Sequence, residues 1–116
     1  MKSYPEHYEA IRGLMGELGS ELKGPMSAFG QLHKQAVADG ALSAKVKELI
    51  ALGIAITVRC DGCLAYHVHD ALLAGATREE IVEAIGVAVL MGGGPAAVYG
   101  SEALQALGEF EAAGVA

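Results

Sequence analysis

An all-α single domain, a bundle of about six helices, is what this sequence predicts, on three observations. Apolar residues recur at helical spacing along most of the chain. Glycine and proline cut it into pieces of helix length, and two of the pieces open with good cap residues, Ser43 and Thr77. A chain of 116 residues fits one domain, here 1–116, with a real but small core.

The first helical stretch covers about residues 5–19 and carries Tyr8, Ile11, Leu14, Met15 and Leu18 on the helical repeat. The second opens near Pro25, a favourable first-turn residue. It carries Met26, Phe29, Leu32 and Val37, and Gly40 is its natural stop. Ser43 caps the third, which sets Val46, Leu49, Ile50, Gly53 and Ile54 on one face. From Leu49 onward the other faces are apolar as well, which predicts a helix buried on all sides. A buried strand competes over residues 54–58; length and the alanines favour helix.

The fourth stretch begins around Cys60 and stops at Gly75. Thr77-Arg78-Glu79-Glu80 has capping-box spacing and opens a fifth helix, which runs to about Met91. Gly92-Gly93-Gly94 break it and permit close backbone approach, and Pro95 opens a sixth helix ending near Gly108. The tail, 109–116, is expected to fray.

The apolar fraction of 53% and the mean hydropathy of +0.37 are high for a domain of this size. Such a chain either crosses a membrane or buries apolar surface between subunits. The longest uncharged run, 84–101, is interrupted by Gly92-Gly93-Gly94-Pro95. The run 49–58 is short and flanked by Lys47, Glu48 and Arg59. A span needs roughly 20 unbroken apolar residues, so no membrane association is expected and a homo-oligomer joined through apolar helices is. The opening residues, MKSYPEHYEAIRG, lack the apolar core of a signal peptide, which predicts a cytoplasmic protein. Net charge is −6 with no basic run, which argues against a nucleic-acid partner. The triple glycine does not fit a nucleotide-binding pattern.

The chemistry concentrates in residues 48–69. Cys60 and Cys63 are three positions apart. A pair this close closes almost no loop, so it constrains the unfolded chain little and reads as redox-active or metal-binding. At a helix start the two Cα atoms lie about 5 Å apart, within disulfide range. The helix N-terminus also favours the reactive thiolate. His67 follows Cys63 by four residues, one turn on the same face, where an imidazole can take or relay a proton. If helices three and four form an antiparallel hairpin bending near Val58, Glu48 meets His67 and can orient it as the acid of a triad does. The alternative for Glu48 is a first-turn glutamate favoured by the helix dipole. Tyr66 is a possible member of the relay or a packing residue, and His69 points away as a bystander.

Glu48, eleven residues, Cys60, two residues, Cys63, three residues, His67 is a spacing that resembles the alkylhydroperoxidase D family of the carboxymuconolactone decarboxylase-like superfamily. Gly40-Ala41-Leu42-Ser43, Lys47-Glu48-Leu49-Ile50-Ala51-Leu52, Ala65-Tyr66-His67, Gly75-Ala76-Thr77 and Met91-Gly92-Gly93-Gly94-Pro95 match it too, so the resemblance covers a core of about 25–108. It implies helical subunits in homotrimers or homohexamers, with peroxide reduction that needs no metal or bound organic cofactor. It implies Cys63 as the attacking thiol, Cys60 as the resolving one, and Glu48 with His67 as a proton relay. It implies a hydroperoxide substrate and a dithiol electron donor, lipoyl-type or thioredoxin-like. The chain departs from founding members in carrying one motif-bearing half rather than two. Competing readings are a carboxymuconolactone-type decarboxylase, a zinc module using Cys60, Cys63 and His67, with or without His69, and a non-catalytic oligomeric scaffold.

Overall fold

Capping explains where several helices begin and end in the computed structural model, which describes residues 2–115; Met1 and Ala116, the ends of the predicted domain, lie outside the described residues. The six helices are α1 (Tyr4–Glu21), α2 (Lys23–Ala36), α3 (Ala44–Thr57), α4 (Asp61–Leu73), α5 (Arg78–Gly92) and α6 (Gly94–Ala112), with no strand among the described residues. The Ser43 hydroxyl accepts the Val46 N–H at 3.2 Å. Thr77 and Glu80 form the reciprocal capping box, the Thr77 hydroxyl accepting the Glu80 N–H and the Glu80 carboxylate accepting the Thr77 N–H at 2.8 Å. The segment 54–57, where a strand competed, is helical. Ala55 and Ile56 are buried there, and the Thr57 hydroxyl donates back to Ile54 O at 2.9 Å.

Three boundaries differ from expectation. Helix α1 runs past Gly19 to Glu21, and α2 already ends at Ala36, because Asp39 and Gly40 form the turn into α3, with the Asp39 carboxylate accepting the Ala44 N–H at 2.7 Å. The third concerns the tail. Helix α6 passes through Gly108 to Ala112, Phe110 is 1% exposed, and the helix ends on Gly114 at φ +83°. The N–H groups of Gly114 and Val115 close onto Glu111 O and Phe110 O, the pattern of a left-handed C-cap. We expect Phe110→Ala to lower the unfolding free energy by about 3–5 kcal/mol in urea denaturation, the cost of emptying a buried aromatic site; a change within 1 kcal/mol of zero would return the tail to the frayed state.

Helices α3 to α6 form the body, with α4 packed against α3 and α6. Leu52 and Ile56 of α3, Leu64 and Val68 of α4, Ile81 of α5 and Leu107 of α6 are fully buried between them. The start of α1 docks on this body through Tyr4, whose N–H donates to Glu109 at 2.8 Å and whose hydroxyl donates to Glu102 at 2.5 Å. Burial and the adjacent Glu102 carboxylate push the Tyr4 phenol far up, so it remains a donor. Two glycines permit close helix contact. A Cβ on Gly92 would meet that of Ala96 at 2.6 Å, and one on Gly100 would meet Ile85 at 2.9 Å.

Much of the apolar surface stays uncovered in the single chain. Beyond Ile11, α1 leaves the body and exposes Leu14 and Leu18, and no residue of α2 is buried. The expectation that α3 is buried on all sides does not hold: Ile50 and Ile54 are exposed, as are Val87, Leu90 and Met91 on neighbouring α5. Four packed helices of this length have one inward stripe each, so a second apolar stripe has nowhere to go within the chain. Among the described residues no helix is long and apolar enough to cross a membrane.

Candidate active site

The turn between α3 and α4 sets the two cysteines. Helix α3 ends with Arg59 at φ +58°, a left-handed conformation in a residue other than glycine. The Arg59 N–H donates to Ile56 O at 3.3 Å and the Cys60 N–H to Ala55 O at 3.2 Å. This is the double closure that glycine usually supplies, and glycine does supply it at the end of α4, where Gly75 has φ +92°. The chain therefore reverses within two residues and delivers Cys60 to the N-cap of α4. A side chain in this conformation costs about 1–2 kcal/mol. Arg59→Gly is accordingly expected to leave the thermal midpoint unchanged or raise it, read by calorimetry; a fall of several degrees would show that the arginine stabilises the turn.

Cys60 and Cys63 are joined by a disulfide, with Cα atoms 5.1 Å apart. The Cys60 sulfur also accepts the Cys63 N–H at 3.1 Å, replacing the usual serine or threonine cap. Asp61 at the first turn of α4 pairs with Lys2.

One turn beyond Cys63, His67 meets Glu48, its Nδ1 2.7 Å from the Glu48 carboxylate. Glu48 is the only buried charged residue among those described, 4% exposed, and lies in the first two turns of α3. The hairpin of α3 and α4 brings these two together across 19 positions of sequence. With Glu48 accepting at Nδ1–H, the imidazole keeps Nε2 free as a base, the arrangement that makes a histidine a proton acceptor.

Tyr66 stacks at a tilt against Tyr8, ring centres 5.0 Å apart. Burial raises its phenol above the ordinary value, so it is a donor rather than a base. His69 is more engaged than its spacing suggested: it stacks on Tyr8 at 4.0 Å and bonds the Asp70 carboxylate at 2.9 Å. His33, on α2, was not singled out from sequence, yet its ring lies 6.3 Å from that of His67. Only the placement of α2 against α1 makes them neighbours, and no local pattern around residue 33 signals it. His33 and Tyr66 line a groove of about 560 Å³ between α1 and α2, together with Met15, Lys23, Met26 and Phe29.

The sulfur–imidazole zinc set does not form in this state, since both sulfurs are in the disulfide. The ligand-like side chains that do converge are His33, Glu48 and Asp70.

The sequence model described as the carboxymuconolactone decarboxylase family matches residues 25–106. An uncharacterized protein of Cupriavidus necator is 46% identical over 94 residues, 81% of this chain and 83% of that one. An uncharacterized protein of the cox locus of Paracoccus denitrificans is 43% identical over 86 residues, 74% and 78% of the two chains. Among solved structures, a carboxymuconolactone decarboxylase family protein from Legionella pneumophila superposes with a TM-score of 0.90 at 38% identity, covering 95% of this chain and 98% of its own. A Thermotoga maritima protein superposes at 0.84 with 31% identity, over 94% and 96%.

Proposed function

The chain belongs to the carboxymuconolactone decarboxylase family, and from that premise we propose that it is a thiol-dependent peroxidase that reduces hydroperoxides through a Cys60–Cys63 dithiol. The observation that carries this reading is the assembly on α4: two cysteines at the helix N-terminus and, one turn on, His67 held by buried Glu48. A decarboxylase has no use for a dithiol poised beside a base.

In this reading His67, oriented by Glu48, takes the Cys63 proton. The thiolate attacks the outer oxygen of the hydroperoxide; the O–O bond breaks, and the alkoxide leaves with that proton as an alcohol. Cys63 is now a sulfenic acid. Cys60 attacks its sulfur, the S–S bond forms, and hydroxide leaves as water with the second thiol proton. The two electrons taken by the peroxide come from the two thiols. The N–H of Cys63 at the Cys60 sulfur suits Cys60 as resolving nucleophile and as leaving group when the disulfide is reduced. That reduction takes a dithiol donor, lipoyl-type or thioredoxin-like, which is itself oxidised to a disulfide. The cytoplasm, where such donors are kept reduced, is the compartment that suits the cycle. The exposed apolar faces of α1, α2, α3 and α5 join subunits into a homotrimer or homohexamer.

The test is a titration of the reduced protein with one equivalent of an organic hydroperoxide, following free thiols by alkylation and intact mass. Loss of two thiols per chain at a rate far above that of free cysteine supports the proposal. Thiols that persist at the free-cysteine rate overturn it.

A further inference from the structure

The geometry points to a divalent-cation site, formed by His33 of α2, Glu48 of α3 and Asp70 of α4, beside the dithiol and independent of it. One ligand-capable atom from each of the three lies within 4.8 Å of the others. For three atoms at that spacing a common centre lies within about 2.8 Å of each, and zinc bonds of about 2.0–2.2 Å need only a small closure. His33 is exposed, so its side chain has room to move toward the two carboxylates. One imidazole with two carboxylates is a donor set that suits zinc, and three protein ligands leave a position open for water.

Charge supplies the second argument. Two carboxylates this close in a partly buried site repel each other. Among the described residues neither is paired with lysine or arginine: the partner of Glu48 is His67, and that of Asp70 is His69. The Arg12 guanidinium lies over the Tyr8 ring and pairs with Glu9. A bound dication neutralises the pair directly. Of the three ligands, His33 lines the open groove between α1 and α2 and is reachable from solvent. Bound at the three ligands, the cation competes with His67 for Glu48; this consequence rests on the relay reading, whereas the binding itself does not.

Zinc binding to the untagged disulfide form by isothermal titration calorimetry tests the site, because the sulfurs are then unable to act as thiolate ligands. We expect one zinc per chain. His33→Ala and Asp70→Asn are each expected to weaken it at least tenfold, with circular dichroism confirming that both variants fold. The Cys60→Ser/Cys63→Ser double variant is expected to bind zinc as the wild type does. Absence of binding, or equal binding by wild type and both variants, overturns the site. Because the readout is heat and stoichiometry, its failure is separate from a failure of hydroperoxide turnover.

Discussion

Cys63→Ser is expected to lower hydroperoxide reduction by at least about 10³-fold, on the scale of an enzyme losing its attacking nucleophile. Cys60→Ser is expected to behave differently. It consumes one equivalent of hydroperoxide and stops, because the sulfenic acid on Cys63 has no resolving thiol. Intact mass after dimedone trapping distinguishes the variants: an adduct in Cys60→Ser and none in Cys63→Ser. The reverse pattern would make Cys60 the attacker. That outcome has a physical basis, since the Cys60 sulfur caps α4 and accepts the Cys63 N–H. Both features favour thiolate at Cys60. What favours Cys63 is its position one turn from His67, and a neighbouring base acts on the proton itself. The pair of variants therefore weighs a helix dipole against an imidazole at one site.

The pairing of Glu48 with His67 was legible because a hairpin has simple geometry: residues equidistant from the bend meet, and the bend at residues 58–59 is where the apolar run of α3 ends. The helices themselves were legible from caps and glycines, and the errors have local causes. Gly108 sits where a helix stop is expected, but its backbone is helical; Gly114 carries the positive φ that marks a true stop. Arg59 occupies a left-handed position that sequence reasoning reserves for glycine, so that turn left no residue signal. The placement of α2 against α1, which brings His33 near His67, depends on tertiary contact rather than periodicity; α2 has apolar residues at helical spacing and buries none of them. The same limit applies to α3, where apolar faces were expected inside the chain and two of its isoleucines face outward. Hydropathy records that a surface is to be buried and says nothing about whether the partner is the same chain.

Glu48→Gln and His67→Ala separate the chemical role of the pair from its structural one. General acid–base assistance contributes about 10²–10⁴-fold, so His67→Ala is expected to reduce the rate of Cys63 oxidation within that range. Glutamine at 48 retains an oxygen that accepts the Nδ1–H and fits the same volume, but it does not stabilise the imidazolium as a carboxylate does. Its rate is expected to fall by a comparable factor while the fold is little changed. In His67→Ala the Glu48 carboxylate, 4% exposed, loses its partner. A buried acceptor left unpaired costs about 1–3 kcal/mol, so this variant alone is expected to lose stability in urea. If the two residues act as one relay, the double variant reacts no more slowly than the worse single one. Multiplicative losses in stopped-flow oxidation would instead mean that Glu48 and His67 act independently, and the 2.7 Å contact would then be structural.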